Sequence, residues 1–226
     1  MIKIYPTLVD SFRYYLDSET MTLQEMVDRI NRKPQPASMP MLKGRAFNDL
    51  IDDLSAGREK PVETMVVGDV RVQAYSQTVE YGAGLGMTFS FSKDVADEIA
   101  EMVKDSVAQV FTQGKIETSF GEVLIYGYAD YLKADTVLEL KTGEYYDFPK
   151  FLKSFQHKCY LYCLRQEGYE TELCRYLFTD FRDVKVEEYY WTEEMQASLL
   201  TDLEAFLSFV FSHKDLITDP KILGLT

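Results

Sequence analysis

Three strand-like runs follow one another closely in the middle of the chain, and they limit the fold more than any other feature. The runs KIETSF, EVLIYGYADYL and DTVLELKT lie between positions 115 and 142, with only short gaps between them. Their alternation of apolar and polar residues is typical of half-buried strands, and connections this short join antiparallel neighbours. The sequence therefore predicts an antiparallel three-stranded meander.

Segments with the apolar spacing of helices lie before and after this meander. SKDVADEIAEMVKDSVAQVF begins at Ser92, a capping residue, carries acidic residues in its first turn, and should end at Gly114. After the meander, FPKFLKSFQHKCYLYCLRQEG predicts a helix ended by Gly168, ETELCRYLFTD a strand, and TEEMQASLLTDLEAFLSFVFSH a C-terminal helix. A helical crossover should place the last strand parallel to a member of the meander, which gives an α/β fold.

The N-terminal part predicts further elements. TLVDSFRYYL has the spacing of a helix, the prolines of RKPQPASMPM indicate an extended linker, KGRAFNDLIDDLSAG is an amphipathic helix, and TMVVGDVRVQAY alternates like a strand. GAGLG, at positions 82–86, favours a hairpin or loop, because it lacks the spacing and the lysine of phosphate-binding loops. We expect one domain over 1–226, with 1–42 as an N-terminal segment with a proline-rich linker and 43–226 as the core with a C-terminal helix.

Composition narrows the function classes. Lys and Arg number 24 against 37 Asp and Glu, a net charge of -13, which argues against a protein that coats nucleic acid by bulk electrostatics. Residues 127–165 lack this excess of acidic residues, since they contain six basic and five acidic side chains. The sequence has no long apolar run and no leader pattern, so we expect a cytoplasmic protein that does not enter a membrane. Cys159, Cys163 and Cys174 predict reduced core thiols.

Two strands of the meander carry three charged residues, Asp130, Glu139 and Lys141. Side chains alternate between the faces of a strand, so Glu139 and Lys141 share one face, while Leu138 and Leu140 should anchor the other face in the core. Because E-x-K is common in exposed strands, a purely structural surface role stays open at this point.

The turn between these strands decides whether the carboxylates meet. A turn centred on positions 134 and 135 sets Asp130 directly opposite Glu139, with Cβ atoms about 5 Å apart. A shift of one residue would send Asp130 to the other face. Like charges placed opposite each other destabilise a sheet, and a divalent cation would resolve that conflict, since Mg²⁺ takes oxygen ligands, usually one or two carboxylates with water and phosphate.

Several short motifs, in order, resemble one known group of enzymes. GYAD (127–130) looks like a G-x-x-D motif, LELKT (138–142) like an E-x-K strand, and QHKCY (156–160) like a Q-x-x-x-Y helix motif. Upstream, GRAFNDLI and DSFRYYL are similar to the helices that precede them in that group. The pattern resembles the PD-(D/E)XK nuclease superfamily, in the branch of the RecB nuclease domain, the CRISPR-associated RecB-like nucleases and lambda exonuclease, over most of residues 8–180.

The resemblance implies a fold and a set of site residues. The fold is a restriction-endonuclease-like core: helix, three-stranded antiparallel meander, helix, parallel strand. Asp130, Glu139 and Lys141 would be catalytic, and Mg²⁺ or Mn²⁺ would be held by Asp130, Glu139 and the Leu140 backbone carbonyl. Asn48 stands where the family has a metal-binding His, so it is a further candidate ligand, with Asp49 or Asp52 as substitutes. The cysteine spacing differs from the family's iron-sulfur subgroup, so we expect no cluster.

The resemblance also implies a function. Gln156, Tyr160 and Lys153 would position the substrate, and the alternative for them is a solvated polar helix face. We expect a DNA nuclease, with an exonuclease in recombination, repair or phage DNA processing favoured, whose DNA approaches around Lys133, Lys150, Lys153 and Lys158. An oligomer and recombination or phage partners are compatible with this. Two rivals stay open: a catalytically weak or inactive nuclease-fold module that binds DNA or protein, and a small metal-binding or structural protein of unrelated fold.

Overall fold

The computed structural model describes residues 1–82 and 84–225; for Val67 it describes the backbone only. The helices of this part are α1 (Pro6–Asp17), α2 (Leu23–Ile30), α3 (Met39–Ser55), α4 (Lys93–Val103), α5 (Phe155–Gln166) and α6 (Glu193–Ser212). Its strands are β1 (Ile2–Ile4), β2 (Val62–Val67), β3 (Val70–Tyr81), β4 (Leu85–Ser92), β5 (Val107–Thr118), β6 (Gly121–Lys133), β7 (Thr136–Thr142), β8 (Leu173–Thr179) and β9 (Val184–Tyr190). The fold class is α/β.

The larger sheet contains the predicted meander. Strands β5, β6 and β7 pair antiparallel in sequence order, and α5 then leads to β8, which lies parallel to β7 from Thr136↔Leu173 to Thr142↔Thr179. The predicted order of helix, three strands, helix and parallel strand is therefore confirmed. Two strands of this sheet were not predicted: β1 pairs parallel with β6, and β9 pairs antiparallel with β8.

A second sheet of three antiparallel strands, β2–β3–β4, lies beside the first. The run TMVVGDVRVQAY, predicted as one strand, is instead a hairpin, because Gly68 takes a left-handed φ of 61° between Val67 and Val70. The predicted hairpin at 82–86 is present as the β3–β4 connection, where Tyr81 pairs with Leu85. Ala83 of that stretch lies outside the described residues.

Two predicted helices are shorter than expected. The helix from Ser92 ends at Val103 rather than near Gly114, because Asp105 takes a left-handed φ of 62° and the following residues join β5. The helix predicted from Phe148 begins only at Phe155, where the Ser154 side chain accepts the Gln156 backbone N–H as an N-cap. Positions 143–154 therefore form a loop that follows β7 directly.

Helices cover both faces of the larger sheet. On one face, α1, α2, α5 and α6 pack with β1 and β6 around Phe12, Phe155 and Phe206. On the other, α3 and α4 pack against Leu138 and Leu140 of β7, as the alternation of that strand predicts. The three cysteines are buried free thiols, which confirms their expected place in the core.

Within residues 1–82 and 84–225, no helix is both long and apolar enough to cross a membrane.

Candidate active site

The β6–β7 hairpin has the register that brings Asp130 and Glu139 together. Its pairs are Tyr131↔Leu138, Leu132↔Val137 and Lys133↔Thr136, so the turn holds only two residues. Ala134, the first of them, takes a left-handed φ of 53°, which an alanine adopts at a cost. Continued by one step, this register sets Asp130 opposite Glu139, as predicted.

The ladder opens at this step, and the two side chains replace its hydrogen bonds. The Asp130 backbone N–H donates to Glu139 Oε1 at 3.0 Å, and the Leu140 backbone N–H donates to Asp130 Oδ2 at 3.0 Å. Each carboxylate thus binds the backbone of the opposite strand. Because the N–H and C=O of one strand residue point to the same side, the Leu140 carbonyl also points into this gap.

Strand β6 is irregular on its other edge as well. The β5–β6 pairing includes Ala108↔Tyr131 and Val110↔Ala129 but omits the step between them, where Gln109 takes a left-handed φ of 53°. Such an interruption re-aims side chains locally. Asp130 therefore lies at a point where pairing opens on both edges of its strand.

Lys141 completes a compact charged group. Its Nζ atom lies 2.9 Å from Glu139 Oε2, and the side chains of Lys141 and Glu139 are 27% and 1% exposed. Burial, followed by the neighbouring Glu139 carboxylate, raises the pKa of Asp130 to about 7. Burial alone would lower the pKa of Lys141, but the carboxylates of Glu139 and Asp130 outweigh it and raise that pKa. The group can hold a proton or a cation near neutral pH.

Helix α5 places Gln156 and Tyr160 behind this group. Both are buried, with Gln156 Nε2 3.4 Å from the Tyr160 hydroxyl, so the alternative of a solvated polar face is wrong. Burial, and then the Glu139 charge, raises the pKa of Tyr160. Gly127 allows this packing, because a Cβ there would lie 2.9 Å from Tyr160 Cε1 and 3.1 Å from Pro6 Cδ.

The predicted basic surface is only partly present. Lys158 is buried, with its Nζ atom 2.7 Å from Asp202 Oδ2 and 2.9 Å from Ser198 Oγ, so it cannot face DNA and that part of the prediction is wrong. Lys153 lies in the loop before α5, not on the helix, and its exposed ammonium is 3.6 Å from Asp17. Lys150 is exposed, whereas Lys133 donates to the Met102 carbonyl.

Helix α3 carries Asn48 and Asp52, and after burial and Glu139 the Asp52 charge also helps to raise the pKa of Asp130. They line a cleft of about 660 Å³ whose other walls include Gln109 of β5 and Thr142 of β7. Asn48 Oδ1 is buried without a hydrogen-bond partner, and the Tyr131 hydroxyl donates to Asp52. Gly44 brings α3 close to β7, since a Cβ there would lie 2.7 Å from Thr142 Oγ1.

Two carboxylates that were not predicted from the sequence, the half-buried Asp10 and the buried Glu187, fix the loop after β7. Asp10 of α1 accepts the Phe155 backbone N–H and the Ser154 hydroxyl, and burial raises its pKa. Glu187 of β9 accepts the backbone N–H groups of Lys150 at 2.8 Å and Phe151 at 3.2 Å. The signal for Asp10 was its place at the start of DSFRYYL, but the Glu187 strand was not predicted.

The donor set fits a hard divalent cation. Over the described residues, no group of three or more His, Cys, Asp or Glu side chains is arranged to hold a metal. Mg²⁺ needs less, because it usually binds one or two carboxylates and keeps several waters. Asp130, Glu139 and the Leu140 carbonyl supply only oxygen, and the unpartnered Asn48 Oδ1 on α3 is a further oxygen. Burial, and then Glu139, destabilises the charged form of Asp130 and raises its pKa, a cost that a bound cation offsets.

Comparison with known proteins does not assign the chain to a family. No protein-family profile matches the chain, and no curated protein matches it. Among solved structures, the chain is similar to SSO0001, at 14% identity and a TM-score of 0.45, over 92% of this chain and 76% of that one. A similarity at this TM-score carries no argument about function.

Proposed function

We propose that this protein is a divalent-metal-dependent DNA nuclease that hydrolyses phosphodiester bonds. The observation that carries the proposal is the meeting of Asp130 and Glu139 where the β6–β7 ladder opens, with Lys141 Nζ 2.9 Å from Glu139. On this proposal, α4, β5, β6, β7, α5 and β8 are a restriction-endonuclease-like core. An exonuclease acting in recombination, repair or phage DNA processing is the form that we favour.

Each residue has a chemical task. Asp130, Glu139, the Leu140 carbonyl and Asn48 Oδ1 would hold Mg²⁺ or Mn²⁺, which when bound supplies Lewis acidity and lowers the pKa of water. The Lys141 ammonium would orient the attacking water or neutralise charge that develops on the phosphate. Because Lys141 is held by Glu139, its position is fixed before the substrate arrives.

Helix α5 supports the site from behind. Gln156 and Tyr160 would fix the orientation of the Glu139 carboxylate through packing rather than by touching DNA, because both are buried. Lys153 is exposed and could reach a phosphate only by leaving its 3.6 Å contact with Asp17. The substrate-positioning role therefore divides between buried and exposed residues.

The test is DNA cleavage by the purified protein. Linear and covalently closed DNA are each incubated with Mg²⁺, Mn²⁺ or EDTA. We expect cleavage with either metal and none in EDTA, and a loss of about 10²-fold or more in Lys141→Met and Asp130→Asn. Matched controls are Lys104→Met, an exposed lysine on the surface beside Glu101, and Asp135→Asn in the hairpin turn. Cleavage of linear DNA alone indicates an exonuclease.

A catalytically weak or inactive module of the same fold is the second candidate. It is favoured by Asn48, a neutral side chain where a stronger ligand is expected from the resemblance. DNA binding without cleavage by wild type in either metal would favour this candidate over the nuclease. Restored cleavage in Asn48→His would show that the neutral side chain limits the reaction.

A further inference from the structure

We infer that a groove beside the candidate site binds a single-stranded segment of nucleic acid and leads it towards Lys141. This inference rests on the proposed function, because it names the substrate form that would reach that site. The groove has a volume of about 990 Å³ and lies between the second sheet, the start of α3 and the loops after β7 and β8. We call it the β2–β4 groove; its lining includes Met65, Val72, Phe89, Lys43, Tyr145 and Arg182.

The groove is apolar on one side. Met65, Val72 and Phe89 come from the three strands of the second sheet, and Phe181 of the loop after β8 also lines the groove. Tyr145 is 80% exposed, although it is a large aromatic side chain in a loop that is anchored at its far end by Glu187. Exposed aromatic rings on a fixed backbone are the usual stacking platforms for unpaired bases.

Two cations at the groove suit phosphate groups. Within the described residues, neither Lys43 nor Arg182 has a carboxylate within ion-pair distance; Lys43 Nζ instead lies 3.9 Å from the centre of the Phe181 ring. The nearby Asp180 carboxylate already accepts the backbone N–H groups of Arg182 and Asp183. With Glu144 exposed on the rim, the groove lining carries no net charge in a chain of net charge -13.

The groove meets the cleft that Asn48 lines and reaches the end of β7. Thr142 and Gly143, which directly follow Lys141, line it, and Thr142 also lines the cleft with Asn48. A nucleic-acid strand that lies in the groove would therefore pass the end of β7, the strand that carries Lys141. A duplex hides the faces of its bases, whereas a single strand can place them on Tyr145 and on the apolar wall, so the chemistry of the lining favours a single strand.

The test is a binding measurement that does not require cleavage. A fluorescently labelled oligothymidine and a blunt duplex of the same length are titrated with the full chain in EDTA at several salt concentrations, and anisotropy is recorded. We expect the single strand to bind at least about tenfold more tightly than the duplex, and Tyr145→Ala to weaken single-strand binding about tenfold. Lys43→Ala and Arg182→Ala should each reduce the slope of log K against log salt by about 0.7.

Matched controls lie away from the groove. Tyr169→Ala removes a tyrosine that is 51% exposed in the connection after α5, and Arg175→Ala removes an arginine that is paired with Glu188. Both should bind like wild type. Equal affinity for single strand and duplex, or groove variants that bind like these controls, would overturn the inference. So would a dimer in sedimentation velocity that Tyr145→Ala dissociates, because a second copy would then occupy the groove.

The outcomes separate this inference from the proposed function. If wild type cuts DNA but the groove variants bind like the controls, the groove inference fails and the nuclease stands. If wild type cuts no DNA but the single strand binds through Tyr145, Lys43 and Arg182, the nuclease fails and the groove stands.

Discussion

Replacing Asp130 should stabilise the protein, and by an amount that depends on pH. In the folded protein its pKa rises from the usual 3.8 to about 7, first through burial and then through Glu139. A carboxyl group with a higher pKa in the folded state binds more protons folded than unfolded between those values. The folded state therefore loses stability as pH rises through this window, by about 1.4 kcal/mol for each pH unit. Once the pH is above 7, the total loss in the free energy of unfolding reaches its maximum of about 4 kcal/mol.

Asp130→Asn removes the titration while keeping an oxygen that can accept the Leu140 N–H. In EDTA, we expect the free energy of unfolding of this variant to exceed that of wild type by a larger margin at pH 8 than at pH 5. The difference between variant and wild type should grow by about 3 kcal/mol from pH 5 to pH 8. Roughly two of these three pH units lie between the unfolded and folded pKa values of Asp130. Urea unfolding at both pH values measures it, with Asp135→Asn as the control.

Adding Mg²⁺ tests the same carboxyl group in a second way. If Mg²⁺ binds as proposed, it should stabilise wild type at pH 8 by RT ln(1 + [Mg²⁺]/Kd) and leave Asp130→Asn nearly unchanged, which would narrow the difference in unfolding free energy between the two. A margin that is the same at pH 5 and pH 8 would refute the reasoning, because it would mean that Asp130 titrates in the folded protein as it does in the unfolded chain.

Two further predictions concern the packing around α5. In urea, Gly127→Ala should lower the free energy of unfolding by about 1–3 kcal/mol, because its Cβ would lie 2.9 Å from Tyr160 Cε1. The control Gly86→Ala should cost less, because its Cβ would meet only a Thr78 methyl group at 3.2 Å. Equal losses in the two variants would contradict the packing argument. His157 is buried against Tyr176 and Tyr189, and burial lowers its pKa to about 3, so its own contribution to stability falls as pH drops below 6.5, opposite in sign to that of Asp130. Between pH 7 and pH 4, His157→Phe should therefore gain more stability on acidification than wild type does, and an unchanged pH dependence of unfolding would contradict the role given to His157.

The order of elements could be predicted because hydrophobic spacing carries it. The alternation in β6 and β7 gave both the meander and the faces of Leu138 and Leu140, and the turn at Ala134 fixed the register that brings Asp130 to Glu139. The helix ends were less predictable. Asp105 stops α4 through a left-handed backbone conformation that the apolar spacing of Val103 and Val107 does not reveal.

The surroundings of the site were the least predictable part. Lys158 was predicted to face DNA, but α6 covers it with Asp202, and β9 covers the neighbouring His157 with Tyr189. These contacts join segments that are far apart in sequence, so local spacing cannot report them. Asp10 was missed for the same reason, since its partners lie at the start of α5.

Gly44 has a consequence for how the site is assembled. Because its missing side chain lets α3 lie against Thr142, the helix that carries Asn48 and Asp52 is in contact with the strand that carries Glu139 and Lys141. Neither element can slide past the other without breaking that contact. On the proposed function, the spacing between the Asn48 amide oxygen and the carboxylates would therefore be set when the chain folds, and a metal would spend little of its binding free energy on rearranging the protein.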